Sequence, residues 1–546
     1  MTEADSPGPA PDRVFPIGRL LLYGRHAGPS TFQSTRWLFL RLVGVVYLIA
    51  FLSYWVQLDG LIGAQGVLPV REFLDRVWND IGAAGYWRLP TLAWIDASDP
   101  FLHVLCGAGV ALSALLVVGV APVPALLALW ALYLSLSVAG QTFYSFQWDI
   151  LLLEAGFCAT FFAPSRLLPR LPRSEPAPPA VGRWLLWLLL FKLMFLSGAT
   201  KLISLDETWW NLTALDYHYY TQPLPTWTAW YVHHAPAWFG TVSILFMYFA
   251  ELVVPFCVFL PRGPRTAGAL VLLTLQVLIA ATGNYTFFNL LSGMLCLVLL
   301  DDATLGTLLP ARLREAALGD PRALAARAVE HAHRSLGYWI GRTAVVPVAI
   351  ALMVTSGVAF VDELVRTRRP GSFDGLAGTV LDAGDRLVLS WGRPVLRWTD
   401  PFRTVNGYGL FRSMTTERRE IQIEGSEDGR TWLEYGFRWK PDDVVERPRF
   451  VAPHQPRLDW QMWFAALAPD RHGHWLRGLL GRVLQGSPDV LELLEPSPFP
   501  DGPPRYVRLV YYRYEFTTPD ERRETGAWWK RRQLGYLTKP LTRDDL

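Results

Sequence analysis

Five ionisable residues, Asp149, Glu154, Lys192, Lys201 and Glu251, stand inside stretches that are otherwise apolar. A charge held within a bilayer costs at least ~2.5–3.5 kcal/mol on insertion scales, so each needs a partner or a purpose. Two chemistries follow. The groups pair to fix helix packing, or they line an outward-facing polar cavity in which Lys201 and Glu154 serve as acid and base or as ligands. At ~1.5 Å of rise per residue, Glu154 lies roughly 9 Å and Lys201 roughly 5 Å from the outer ends of their segments. That similarity of depth predicts a Glu154–Lys201 pair. Glu251 falls near the middle of its segment with no evident partner. Lys192 and Lys201, nine residues apart, face opposite sides of one helix.

A second dense stretch, residues 205–239, holds Trp209, Trp210, Asp216, His218, Tyr219, His233 and His234 and has neither lysine nor arginine. Histidine and aspartate are zinc-ligand types, but this spacing fits no ligand template. Aromatic packing with hydrogen-bonded polar tips is the better reading, and no metal or cofactor is implied. Asn211-Leu212-Thr213 and Asn284-Tyr285-Thr286 are N-glycosylation sequons.

The elements that must position these residues are membrane helices. The chain is 51% hydrophobic and only 18% charged, with a mean hydropathy of +0.20. Nine stretches approach the ~20 apolar residues a spanning helix needs: 36–57, 100–120, 121–140, 146–164, 183–203, 240–260, 266–282, 285–300 and 343–361. Proline at Ala121-Pro122 closes one helix and opens the next, which predicts a tight hairpin. Trp37, Trp55, Trp184, Trp209 and Trp210 sit where amphipathic rings collect at membrane interfaces. Residues 1–35 are basic and rich in Pro and Gly, with no apolar core of a signal peptide, so the first span directs insertion.

Orientation follows from the arginines of short loops. Arg13, Arg19, Arg25, Arg36, Arg166, Arg170, Arg173, Arg183, Arg262, Arg265, Arg312, Arg314, Arg322, Arg327, Arg334 and Arg342 fall on one side. Arg71, Arg76 and Arg88 fall on the other. Nine spans with this bias place residues 1–35 in the cytoplasm, 36–363 in the membrane and 364–546 outside the cytoplasm.

The last segment reads as mostly β. Residues 420–424 alternate polar and apolar as a half-buried strand does. Asp428-Gly429 marks a hairpin turn, and 506–516 is a strand rich in β-branched and aromatic residues. Residues 458–467 and 475–484 read as short helices. A sandwich-like module with helical insertions results, suited to binding protein surfaces or extended chains. No nucleophile elbow, phosphate loop or metal-ligand spacing appears in it. All four cysteines lie in the apolar stretches, so no disulfide framework is expected. A net charge of +3 without basic runs among stacking aromatics excludes a nucleic-acid partner. Internal repeats and paired broken helices, the marks of a transporter, are also missing.

Longer motifs run through both halves: residues 63–69 (GAQGVLP), 147–149 (QWD) with 153–157 (LEAGF), 215–223 (LDYHYYTQP), 233–236 (HHAP), 301–306 (DDATLG), 406–411 (NGYGLF), 457–466 (RLDWQMWFAA) and 512–516 (YRYEF). On these motifs the chain resembles the lipase maturation factors, membrane proteins of the endoplasmic reticulum with bacterial relatives. The resemblance runs from about residue 36 to the carboxyl end. It implies a membrane-bound folding or assembly factor for secreted lipases, whose outer domain contacts the client and whose helices contact membrane lipid. The membrane would be that of the endoplasmic reticulum in a eukaryote, or the cytoplasmic membrane in a bacterium. The stretch 205–239, with Asn406, Arg457, Asp459, Trp460 and Trp463, combines aromatics with Arg and Asp as interface anchors do, and becomes the expected client surface. More distantly, spans one to eight resemble the membrane helices of the vitamin K-dependent carboxylase, in which Lys201 would act as a base.

Overall fold

The structure, a computed structural model, describes residues 30–144, 146–172, 175–308, 336–368 and 375–546. The tail to residue 29 and Arg173, Arg312, Arg314, Arg322, Arg327 and Arg334 lie outside the described residues. Nine apolar helices stand where the hydropathy places them: α1 (Gln33–Trp55), α2 (Asp99–Val118), α3 (Pro122–Ala139), α4 (Gln147–Phe162), α5 (Ala180–Ile203), α6 (Ala237–Phe259), α7 (Arg262–Thr282), α8 (Phe288–Leu297) and α9 (Leu336–Thr367). Among the described residues seven are long and apolar enough to cross a membrane. The other two are shorter: α4 has 16 residues and is buried for most of its length, and α8 has 10. A helix screened from lipid by its neighbours need not match the bilayer thickness, which is the physical reason these two depart from the others.

The α2–α3 hairpin forms as expected. Gly119 turns left-handed at φ 96° and Ala121 follows at φ 42°, after which Pro122 opens α3. Helix α6 is not regular. It runs as α-helix to Tyr248, widens into a π-turn over Phe249–Val253 and tightens into a 3₁₀ segment over Val254–Phe259. Pro255 lacks the N–H that would continue the ladder, and the wide turn carries Glu251.

Beyond α9, Leu376–Gly384 and Ser390–Thr399 are α-helical, are joined into one continuous helix by a π-turn over Asp385–Leu389, and pack on α9. Next come β1 (Arg418–Ser426), β2 (Leu433–Tyr435), α10 (Arg457–Leu467), α11 (Pro469–Gln485), β3 (Tyr506–Phe516) and β4 (Trp529–Tyr536). Among the described residues the strands form a single antiparallel sheet in the order β2-β1-β3-β4, not two stacked sheets. Where a sandwich would place its second sheet, α10 packs on β1. The β1–β2 turn is the expected one: Gly429 has φ 73°, and Asp428 Oδ1 accepts the amide N–H groups of Arg430 and Thr431, both at 2.8 Å. Those amides hold the Asp428 carboxyl down at about 2.

Strand β1 departs from the half-buried expectation, because both its faces are buried. Ile421 and Ile423 fill one side, while Glu420 and Gln422, fully buried, fill the other. Glu420 is satisfied there by Arg418 at 2.5 Å and Lys440 at 3.1 Å. Alternation reports that the two faces differ in chemistry, not that one of them meets water. A single hydrophobic cluster then runs from Phe32 through the helices to Leu509 in β3, so the helical and carboxyl-terminal regions share a core.

Candidate functional site

The five charges singled out within the spans are all paired, though not as their depths suggest. Glu154 binds Lys192 at 2.6 Å, and Lys201 binds Glu251 at 2.7 Å. The expected Glu154–Lys201 pair is thus corrected. Nine residues of helix put Lys192 and Lys201 on opposite faces of α5. One face meets α4, which carries Glu154, and the other meets the π-turn of α6. Similar depth does not overcome opposite azimuth. Lys201 also donates to the Ser197 carbonyl at 3.0 Å and is nearly inaccessible. Nothing in that closed pair favours base chemistry at Lys201.

Two of these sites are completed by residues far along the chain. Glu154 Oε2 accepts the Asn406 amide N–H at 2.9 Å, its Nδ2 at 3.1 Å and the Tyr408 hydroxyl at 2.8 Å. Asp149 receives a two-pronged guanidinium: Arg457 Nη2 lies 2.9 Å from Oδ1 and Nη1 3.0 Å from Oδ2, with Tyr133 donating to Oδ1 at 2.5 Å. Arg457 also donates to the Phe143 carbonyl at 2.6 Å and stacks 3.6 Å above the Tyr144 ring. Burial opposes its charge, but Asp149 prevails and raises its pKa above the usual arginine value. The motifs around 147–157 and those at 406–411 and 457–466 are therefore two halves of one buried polar seam.

Other stretches meet across the same seam. Trp148 Nε1 donates to Gln455 Oε1 at 2.8 Å, and Gln57 Oε1 accepts the Arg457 amide at 2.8 Å. Arg482 of α11 donates to the Gly66 carbonyl at 2.9 Å and to Gln65 Oε1 at 3.0 Å. Asn284 is fully engaged: it donates to the carbonyls of Leu224 and Arg449 and accepts from the amides of Val451 and Ala452. Its sequon is thereby buried, whereas Asn211 is exposed. At the opposite end of the bundle Asp302 accepts the amides of Gln33, Ser34 and Thr35, satisfying the first turn of α1, while Asp301 binds Arg262.

The stretch 205–239 folds into three short helices over Glu207–Trp210, Ala214–Thr221 and Trp227–His233. The second and third pack beneath the sheet, and the first packs on α6 and Phe411. Arg418 reaches from β1 to the carbonyls of Tyr220, Gln222 and Pro223. Trp463 donates to the Thr221 carbonyl at 2.8 Å, Trp230 to that of Thr517 at 3.1 Å and Trp209 to that of Phe411 at 2.9 Å. His233 and His234 lie ring against ring at 5.0 Å, but His218 is not brought to them. His218 faces Tyr285 and Phe411, while His233 faces Tyr220 and Phe516. Among the described residues no group of three or more His, Cys, Asp or Glu could hold a metal ion. Burial pushes both His218 and His233 down to about 4.

Of the expected client contacts, then, Asn406, Arg457, Asp459, Trp460, Trp209 and Tyr219 are buried. Trp460 packs on Trp148 and Phe146, and Asp459 accepts the amides of Trp439 and Lys440 at 3.0 and 2.9 Å. Their aromatic and charged character serves contacts within the chain. His218, His233, His234 and Trp463 are half-buried, and Trp210 and Asp216 are exposed. Sequence reading missed Tyr408, Arg418, Lys440 and Gln455 as individual seam residues. The only signal for Tyr408 was its place in the 406–411 motif.

Comparison with known proteins agrees with this division. Residues 34–307 match the family model described as the lipase maturation factor transmembrane domain, and 404–539 match the lipase maturation factor C-terminal domain. Lipase maturation factor 2 of Homo sapiens is 36% identical, covering 91% of this chain and 81% of that protein. Lipase maturation factor 1 of Bos taurus is 35% identical over 95% of this chain and 90% of its own length. For lipase maturation factor 1 of Homo sapiens the figures are 34%, 100% and 93%. No solved structure matches the chain. With both regions matched and joined by a buried polar seam, this integral membrane protein belongs to the lipase maturation factor family.

Proposed function

We propose that the chain is a membrane-embedded maturation factor that helps secreted lipases fold or assemble, without itself performing catalysis. The observation that carries this reading is the match of both regions, over nearly the whole chain, to relatives named for lipase maturation. In this proposal the carboxyl-terminal region and the stretch 205–239 lie outside the cytoplasm, in the endoplasmic reticulum lumen of a eukaryote or beyond the cytoplasmic membrane of a bacterium. The client then meets the exposed rim of that stretch, at Trp210, Asp216 and Tyr231. The buried seam keeps this rim at a set position over the bundle, which is what a docking surface needs.

The test is a photo-crosslinking amino acid placed at Tyr231 or Trp210 of the full chain, co-expressed with a secreted lipase. Leu245, exposed on α6, serves as the lipid-facing control. Crosslinks to lipase from the rim but not from Leu245, with less active lipase secreted when the rim carries Trp210→Ala and Tyr231→Ala, support the proposal. Equal lipase secretion with and without the chain overturns it.

A further inference from the structure

Residues 376–399, between the last spanning helix and the sheet, carry an apolar stripe that the described chain leaves largely uncovered, touching it at Trp398 through Trp87. Val380 is 60% exposed, Leu387 73%, Trp391 50% and Trp398 63%. The stripe runs through the π-turn at Leu387 from one α-helical part to the next. Leu389 and Leu396 fall on the opposite side, buried with Val358 and Ala359 of α9. Gly392 sits so close to α9 that a Cβ there would meet Val358 Cγ1 at 2.3 Å. The helix is thus apolar on two faces, and only one of them is occupied.

We infer that this helix lies in the phospholipid interface of the leaflet nearest the sheet, with its free stripe among the upper acyl chains. Three observations select lipid as the occupant. First, the helix rests on Val358–Val365 of α9, within roughly 14 Å of the end of that span at Thr367, the depth at which headgroups give way to hydrocarbon. Second, Arg386 and Arg397 are exposed on the same helical segment, where they meet lipid phosphates while the tryptophans sit at the boundary. Third, the stripe continues an aromatic girdle on the bundle: Trp87, itself 45% exposed, packs on Trp398 at 5.4 Å and on Phe402 at 4.9 Å. Depth is held by polar contacts. Arg393 binds Asp385 at 2.8 Å and Asp362 of α9 at 3.5 Å, and Arg368 binds Asp382. The span of α9 therefore ends in an in-plane anchor that fixes the angle at which the sheet stands over the bilayer.

The experiment uses the full chain in nanodiscs of phosphatidylcholine and phosphatidylglycerol, with Cys257→Ser to remove the one cysteine that is not buried. Single nitroxide labels are introduced through Leu387→Cys, Trp391→Cys and Arg386→Cys. Leu245→Cys on α6 and Tyr536→Cys on β4 supply lipid-exposed and water-exposed references, both sites being surface positions. The expected result is a ratio of oxygen to nickel-chelate accessibility at 387 and 391 close to that at 245 and well above that at 536, with 386 below 387. A ratio at 387 equal to that at 536 overturns the inference. So does protection of 387 that persists in detergent, which would assign the stripe to a second copy, or protection that appears only when a lipase is added. Because every label replaces an exposed side chain, loss of folding does not confound the reading.

Discussion

Replacing Arg457 by Met removes the guanidinium while keeping an unbranched stem of similar reach. In the native chain that group makes two hydrogen bonds to Asp149, one to the Phe143 carbonyl and a stacking contact with Tyr144, all with no solvent exposure. Asp149 would keep only the Tyr133 hydroxyl. Breaking a buried pair in this way costs about 3–5 kcal/mol, most of it the penalty of an unpaired buried carboxylate. The second change, Asp149→Leu, removes that carboxylate, so Arg457→Met with Asp149→Leu should recover most of the loss. Native-state proteolysis in detergent micelles reads the opening of the carboxyl-terminal region directly. The single variant should be cleaved there about 10²- to 4 × 10³-fold faster than wild type, with its helical content unchanged by circular dichroism, and the double variant much more slowly than the single. A single variant as resistant as wild type, or a double variant no better than Arg457→Met alone, would refute the claim that this pair clamps the two regions together.

The second arm of the seam gives a milder effect: Tyr408→Phe removes one hydrogen bond to Glu154 and should loosen the same region by about 1.5–3 kcal/mol in the proteolysis assay. Burial, only partly opposed by the amides of Lys440 and Trp439, lifts the Asp459 carboxyl from 3.8 to about 6. A pKa raised on folding lends stability that is complete below pH 4 and lost as pH climbs through 6, worth about 3 kcal/mol. His218, His233 and His454, each held near 4 by burial, act in the opposite sense and lose stability as pH falls from 6.5. Subtracting the stability–pH curve of Asp459→Asn from that of wild type should therefore isolate a descending step between pH 4 and 6, and a flat difference would contradict it. In a glycosylating host, a mobility-shift assay should show glycan at Asn211 and none at Asn284, whose side chain is buried and wholly hydrogen-bonded; an unmodified Asn211 would place the 205–239 stretch on the cytoplasmic side.

Much of this was determined by the sequence alone. Hydropathy located the helices, since twenty apolar residues have few other stable environments. Proline and left-handed turn positions set the α2–α3 hairpin, and Asp428-Gly429 set the β1–β2 turn, because these depend on local φ/ψ preferences. The motifs marked which stretches matter, and the rarity of charge within spans singled out Asp149, Glu154, Lys192, Lys201 and Glu251. Their partners were not determined there. Whether Glu154 meets Lys192 or Lys201 depends on the rotation of α5 against two neighbours, a property of packing with no local signature. That Asp149 is answered by Arg457, 308 residues away, and Glu154 by Asn406 and Tyr408, was decided only when the carboxyl-terminal region closed over the bundle. The same closure turned Trp460, Asp459 and the polar face of β1 from an apparent surface into interior. Composition states which groups need partners, and the tertiary fold alone brings distant donors and acceptors within 3 Å while excluding the water that would otherwise satisfy them.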